Sequence, residues 1–388
     1  MTTTTASPTS RERTTRRRIT FIGLPLGLLA LAVSTLVATQ VFSIANVFLY
    51  DSILLAAMGS IALTVLIGTA GQVSIGNSAF LAVGAFTSVW ATRAGMPTPV
   101  DIVLALVVSV LLGVIVGLAG LRMRGLEFAL ATLAAFFIVV FLAHEYQKGV
   151  DGAEGGFTVE TWFSTQPLED AQTSWAWLLT GVLAVIVIGA HRLTGSKNGR
   201  AMRMIRDHEI AAPALGIPVL RTKLVVFALS SGVLGLQGAL TGHLIGSVAS
   251  ETFTLTLAIQ YLAMVVIGGL GSITGAVIGA AVVVGLPMVA STYLSDALGG
   301  AVTATEAAQL AGIAYMALVI GIVVFAPKGL ASFGRHIVDA TSRFHGSRRT
   351  RPAPVDAAGP HRERTSSGGA AEVAHQEEDS LLKKRWNQ

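Results

Sequence analysis

From Ile19 to Ala326 the chain runs in long apolar stretches that almost no charge interrupts. Of its 27 Lys and Arg residues, five lie in residues 1–18 and eleven in residues 327–388, which leaves eleven for the 308 residues between. So few cannot cover a water-facing surface: a soluble domain carries about 25% charged residues, and this chain carries 13%. A soluble enzyme built on one core is excluded. So is a collagen-like or disordered chain, because the 42 Gly follow no three-residue period and sit inside apolar runs. Without Cys there is no disulfide scaffold, no thiolate zinc site and no cysteine nucleophile. The pI of 9.7 would suggest nucleic acid if the charge lay on a folded face. Here it lies in tails and loops beside apolar runs, where it reports membrane orientation; no nucleic-acid partner is expected.

Residues 1–18 are rich in Thr and Arg, without a period, and read as a basic disordered cytoplasmic tail. The following run reaches Val41, longer than the apolar core of a signal peptide, so an uncleaved first helix is expected. Ten spans are expected in an all-α integral membrane protein: 19–41, 46–69, 78–92, 100–121, 126–144, 175–191, 222–246, 255–270, 273–294 and 308–326. The third and eighth are short and adjoin glycine clusters, which suggests broken or re-entrant helices and an internal repeat. The membrane domain then covers 19–330, and the Arg-, Ser- and Pro-rich residues 331–388 read as a largely disordered cytoplasmic tail. Loop charge agrees. Residues 191–223 are basic, whereas 145–174 are acidic with Lys148 as the one base. Positive-inside bias places the first loop and both termini in the cytoplasm, with Arg93 as the exception.

No Walker A loop, HExxH, GxSxG or kinase signature is present, and the eight His form no ligand cluster in the sequence. The spans read as lacking ionisable residues, which disfavours a proton relay. No catalytic role, metal or cofactor is expected in this chain. Three segments remain. In Gly71–Ala85, the polar Gln72, Ser74, Asn77 and Ser78 interrupt apolar sequence, while Gly71, Gly76 and Gly84 allow close backbone approach. This set reads either as packing glue or as a broken helix lining a path. In Ile267–Ala280, Gly268, Gly269, Gly271 and Gly275 crowd into eight residues and suggest a tight re-entrant turn. Residues 199–218 are too polar to span, yet Met202, Ile205, Ile210 and Ala211 recur at helical intervals, and Arg203, Arg206 and Asp207 can meet across a turn. That amphipathic helix reads as lying on anionic lipid or as a knob for a soluble motor.

The series GQVSIGNSAFLAVGA (71–85), RGLEFALATLA (124–134), DGAEGG (151–156), GRAMRMIRDHEIAAPALGI (199–217) with FALSSGVLGLQGAL (227–240), and VVIGGLGSITGAVIGA (265–280) resembles the permeases of branched-chain amino acid ABC importers, LivM-type subunits above all. The resemblance covers roughly residues 45–330. It implies a LivH-type sister permease, two cytoplasmic ATPases that bind ATP and Mg, and an extracytoplasmic amino-acid-binding protein. Residues 199–216 would be the coupling helix, bounded by Gly199 and Gly216, with Arg200, Arg203, Arg206, Asp207 and Glu209 facing the ATPase. Gln72, Ser74, Asn77 and Thr274 would lie near the solute path. Two other solute or energy schemes compete: a urea or short-amide permease of the same family, and an ATP-independent secondary transporter.

Overall fold

The computed structural model describes the backbone of residues 10–297 except 121, 122, 124, 152–154, 161, 164 and 165, together with 312, 313, 317 and 321. The chain divides into two units, Met1–Asp339 and Ala340–Gln388, and all described residues fall in the first. All but four residues of the tenth expected span lie outside the described residues, as do the tail from 331 on and Arg122, Arg124, Glu154, Glu306, Lys328 and Arg335.

The nine other expected spans are helices: α1 Ser10–Val41, α2 Ile44–Leu63, α3 Asn77–Arg93, α4 Thr98–Gly120, α5 Leu126–Asp151, α6 Leu168–Gly195, α8 Val219–Ile245, α9 Leu255–Gly268 and α10 Ile273–Ala297. The short helix α7, Lys197–Asp207, lies between α6 and α8. The expectation of ten full spans needs correction. Among the described residues six helices are long and apolar enough to cross a bilayer: α1, α2 with its continuation to Thr69, α4, α5, α6 and α8. At 1.5 Å per residue the 17-residue α3 and 14-residue α9 reach about 25 and 21 Å, short of a hydrocarbon core of about 30 Å. Glycine-rich irregular backbone cuts both short, before Asn77 and after Gly268. A second correction concerns the N-terminus, where α1 already begins at Ser10 inside the expected irregular tail. Arg is a good helix former, so the apolar helix extends backward into its flank.

The packing of α4 reverses that of a surface helix in a water-soluble protein, although α2 and α8 bury large apolar side chains such as Met58, Ile61, Phe227 and Leu234. On α4 the buried face is Ala105, Ser109, Gly113, Gly117 and Gly120, whereas Val103, Leu111, Ile115 and Leu118 are exposed. Between helices in lipid there is no hydrophobic driving force, so small residues that let backbones touch form the contacts and large ones face the acyl chains. The central helix is α8. A Cβ added at Gly84 of α3 would stand 1.9 Å from the Gly235 carbonyl oxygen, and one at Gly238 would stand 2.0 Å from that of Leu81. On another face Ser230 Oγ donates to the Ala62 carbonyl of α2 at 3.1 Å. Phe227 of α8 meets Phe80 and Phe128 edge-on at 5.5 and 5.1 Å between centroids. By contrast α1 is loosely held: Leu26, Leu29, Leu36 and Val41 are all more than half exposed. Its buried Thr35 Oγ1 bonds Thr180 Oγ1 of α6 at 2.7 Å and Tyr50 OH of α2 at 2.8 Å. Where α8 ends, β2 (Ser247–Val248) pairs antiparallel with β1 (Phe157–Thr158), with Phe157 opposite Val248.

Candidate functional site

The end of the bundle that carries α7 brings the sequence-selected segments together. Ser196 caps α7, its Oγ accepting from the Gly199 N–H at 3.4 Å. Only glycine fits at 199, since a Cβ would lie 2.1 Å from the Thr194 carbonyl oxygen. Met202 and Ile205 are buried and Arg200 and Arg203 exposed, the amphipathic arrangement expected from the sequence. The helix is shorter than 199–216, however. It stops at Asp207, and only a single 3-10 turn, Pro213–Leu215, follows before Gly216 at φ 73°. Pro213 lacks the N–H that an α-helix would need there and its ring clashes with the preceding turn. Ile210, expected on the buried face, is therefore 84% exposed, and Leu215 is 63% exposed.

The charged side chains of this segment are engaged with the chain itself. Arg203 Nη1 donates to the Thr194 carbonyl at 2.9 Å, rather than meeting Asp207. Arg206 Nε donates to Asp207 Oδ1 at 3.1 Å, and its Nη1 donates to the carbonyl of Gly68. Glu209 pairs with Lys223 at the start of α8, 2.7 Å away. Arg206 is thus tied to the end of α2 and Glu209 to α8, while the Arg206 side chain stays 40% exposed.

Gly68 belongs to a π-helical turn, Thr64–Thr69, in which α2 ends. Beyond it residues 71–76 are irregular. Gly71 adopts φ 71° against the Arg206 side chain, whose Cγ would be 2.6 Å from an added Cβ. Ile75 N–H donates to Thr132 Oγ1 at 3.2 Å, and a Cβ at Gly76 would lie 2.0 Å from the Thr132 carbonyl oxygen. Gln72, Ser74 and Asn77 are buried together in this stretch. Asn77 Nδ2 donates to the Ala258 carbonyl at 3.4 Å, while Gln72 Oε1, Asn77 Oδ1 and Ser78 Oγ have no partner. Gln72 also walls a cavity of about 110 Å³ with Gly71, Phe128, Phe227, Glu209 and Lys223. Such unsatisfied polar groups are uncommon and point to contact with water or solute.

The second glycine cluster is the turn between α9 and α10. Gly269 and Gly271 have φ 100° and 81°, and Gly268 packs on Gly275 with 2.2 Å between an added Cβ and the Gly275 oxygen. The turn sits against the π turn, since a Cβ at Gly68 would be 2.2 Å from the Gly271 nitrogen. Thr274 is not part of the buried set. It is exposed, with Oγ1 3.3 Å from Ser272 Oγ.

At the opposite end of α8 lies a cluster that sequence reading missed. Asp101 of α4 and His243 of α8 are both 0% exposed, with Nε2 and Oδ2 2.6 Å apart. Ser88 Oγ donates to Asp101 Oδ2 at 2.6 Å and lies 3.0 Å from His243 Nε2, and His243 Nδ1 bonds the Glu160 carbonyl at 3.1 Å. The expectation that the spans lack ionisable residues is wrong here and at buried Asp51, whose Oδ2 accepts from Gln172 at 2.7 Å. Each carboxylate is held by a partner from another helix, invisible in sequence. The cluster is not a hydrolytic triad: serine and aspartate share one imidazole nitrogen, and none of the three side chains is open to substrate. Arg93, the charge exception, lies over the Phe157 ring at 5.3 Å. In the nearby loop the Glu251 carboxyl is held below its ordinary 4.5, first by its own backbone N–H, with burial opposing and Ser250, Gln147 and His144 assisting.

The family described as "Branched-chain amino acid transport system / permease component" matches residues 43–326. The high-affinity branched-chain amino acid transport system permease protein LivM of Salmonella typhimurium strain LT2 is 29% identical over 246 residues, 57% of this chain and 58% of that protein. Its Escherichia coli K12 counterpart is 29% identical over 234 residues, 54% and 55% of the two chains. The autoinducer 2 import system permease protein LsrC of Enterobacter sp. strain 638 is 27% identical over 192 residues, 48% and 53%. The chain spans a little over half the length of these curated relatives. With large apolar side chains exposed along its helices, six bilayer-length helices among the described residues and a family match over most of its length, the chain is a multi-pass membrane protein that belongs to the branched-chain amino acid transport permease family.

Proposed function

We propose that this chain is the LivM-type permease subunit of an ATP-driven importer that moves branched-chain amino acids into the cell. It pairs with a LivH-type sister, rests on two cytoplasmic ATPases that bind ATP and Mg, and receives solute from an extracytoplasmic binding protein. The family match over residues 43–326 carries this reading. Both termini and α7 face the cytoplasm, consistent with the basic loop at 191–223. The outward face of α7, Arg200 and Arg203, together with exposed Ile210 and Leu215, forms the ATPase-docking surface.

Gln72, Ser74 and Asn77 border the solute path, where unpartnered buried polar atoms meet a zwitterion and the apolar walls meet its aliphatic side chain. Binding there is weak, as passage requires, and selection rests with the binding protein. Nucleotide-driven closure of the ATPases shifts the permease only because it grips one conformation more tightly than the other.

The test is uptake by the complete complex in proteoliposomes. Leucine accumulation that requires ATP, with urea excluded, is expected. Gln72→Leu with Asn77→Leu should lower it about tenfold by leaving the zwitterion without polar partners. Uptake driven by an ion gradient without the ATPases would overturn the proposal, and ATP-dependent urea uptake would reassign the solute.

A further inference from the structure

We infer that Arg206 is a positioning residue that joins α7 to the broken end of α2, transmitting the movement of α7 to the irregular segment that carries Gln72, Ser74 and Asn77. The inference rests on the permease reading for its energy source, but its geometry stands on the chain alone.

Five kinds of connection can carry a displacement of α7 into the spans: the chain on either side of it, the apolar seat of Met202 and Ile205, the Glu209–Lys223 pair, the Arg203 bond to the Thr194 carbonyl of adjoining α6, and Arg206, which alone reaches α2. Apolar seats slide, because dispersion contacts have little direction. A charge-assisted hydrogen bond from a guanidinium is directional and resists both push and pull. Arg206 makes one to the Gly68 carbonyl, among the last carbonyls of α2, which lack an intrahelical donor. Its aliphatic stem lies on Gly71, where any side chain would collide with it. A single residue thus holds both ends of the step from Gly68 to Gly71.

The receiving element is the π turn Thr64–Thr69, and such single π turns are rare inside helices and frequent at functional sites. It borders the irregular residues 71–76, whereas the part of α2 from Leu54 to Leu63 is continuous α-helix; both are buried. The turn also touches Gly271, so the same pull reaches the α9–α10 hairpin. A cavity of about 380 Å³ beside Arg206, lined by Gly68, Thr69, Arg203, Leu270 and Gly271, leaves room for this displacement.

The test uses the reconstituted complex with Arg206→Ala, Arg206→Lys and Gly71→Ala, reading ATPase co-purification, ATP hydrolysis and leucine imported per ATP. Arg206→Ala should keep the ATPase bound and hydrolysing while leucine per ATP falls about tenfold. Arg206→Lys should restore part of the ratio, and Gly71→Ala, which displaces Arg206 from the other side, should lower it likewise. An unchanged ratio in an intact Arg206→Ala complex would overturn the inference. So would loss of co-purification in Arg206→Ala and Arg206→Lys but not in Gly71→Ala, which would make Arg206 a docking contact. A separate reading needs no transport: amide exchange at 64–76 in the Arg206→Ala chain alone should quicken about tenfold relative to α4. Unaltered exchange refutes the linkage, whereas failure of the wild-type complex to import leucine refutes only the permease reading.

Discussion

At the scale of single residues, backbone approach at glycine decides what this bundle tolerates. Gly84, Gly76 and Gly268 each face a carbonyl group so closely that a methyl has no room, and the obstructing atoms are backbone that cannot rotate away. Gly84→Ala should therefore cost about 2 kcal/mol or more, within or above the usual range for overpacking. Gly181→Ala should be neutral, since nothing lies within 4 Å of its added Cβ. Thermal unfolding of the two variants in detergent checks this: equal midpoints would mean that α3 and α8 do not cross at Gly84 and Gly235. Sequence alone marked Gly84 as suited to close packing but gave no sign that Gly235, 151 positions later, was its partner. The same blindness hid Asp101 and His243. They stand 142 positions apart in the sequence, and only the fold brings them to 2.6 Å.

At the scale of elements, apolar length identified every long helix of the described bundle, but it overstated two of them. Hydropathy counts apolar residues without seeing where the backbone stops being helical, so α3 and α9 read as spans although glycines interrupt both. The amphipathic α7 was legible from Met202 and Ile205; its end was not, because Ile210 continues the period past Asp207, after which His208 leaves the helical conformation. The directions of its charged side chains were illegible for a different reason. Arg206 and Glu209 answer acceptors and donors that come from α2 and α8, 138 residues before and 14 residues after them. Arg200 and Arg203 are exposed and make no bond to α2 or α8, so Arg200→Glu with Arg203→Glu should release the ATPase from the purified complex while the permease still inserts. Retained ATPase at wild-type stoichiometry would move the docking surface elsewhere, toward Ile210 and Leu215 alone.

At the scale of the whole molecule, α7 and the β1–β2 ribbon lie at the two ends of α8, a helix of 27 residues and about 40 Å. Impermeant labelling of single cysteines in intact cells should modify position 148 near the ribbon and spare position 203 until the membrane is opened. Labelling of position 203 from outside would invert the molecule and remove the docking scheme. The loop charges are the basis for expecting this orientation, and Arg93, their exception, lies over the Phe157 ring. The hydroxyl contact between Thr35 and Thr180 bears on how the protein is made. Those residues are 145 positions apart, and at roughly 5–20 residues per second the ribosome needs about 7–30 s to deliver the second after the first. During that interval the leading helix is joined to α2 through Tyr50 but lacks its contact with α6, and the uncovered hydroxyl face is one that a quality-control protease could seize. Biogenesis of this permease is therefore most vulnerable before its sixth helix emerges.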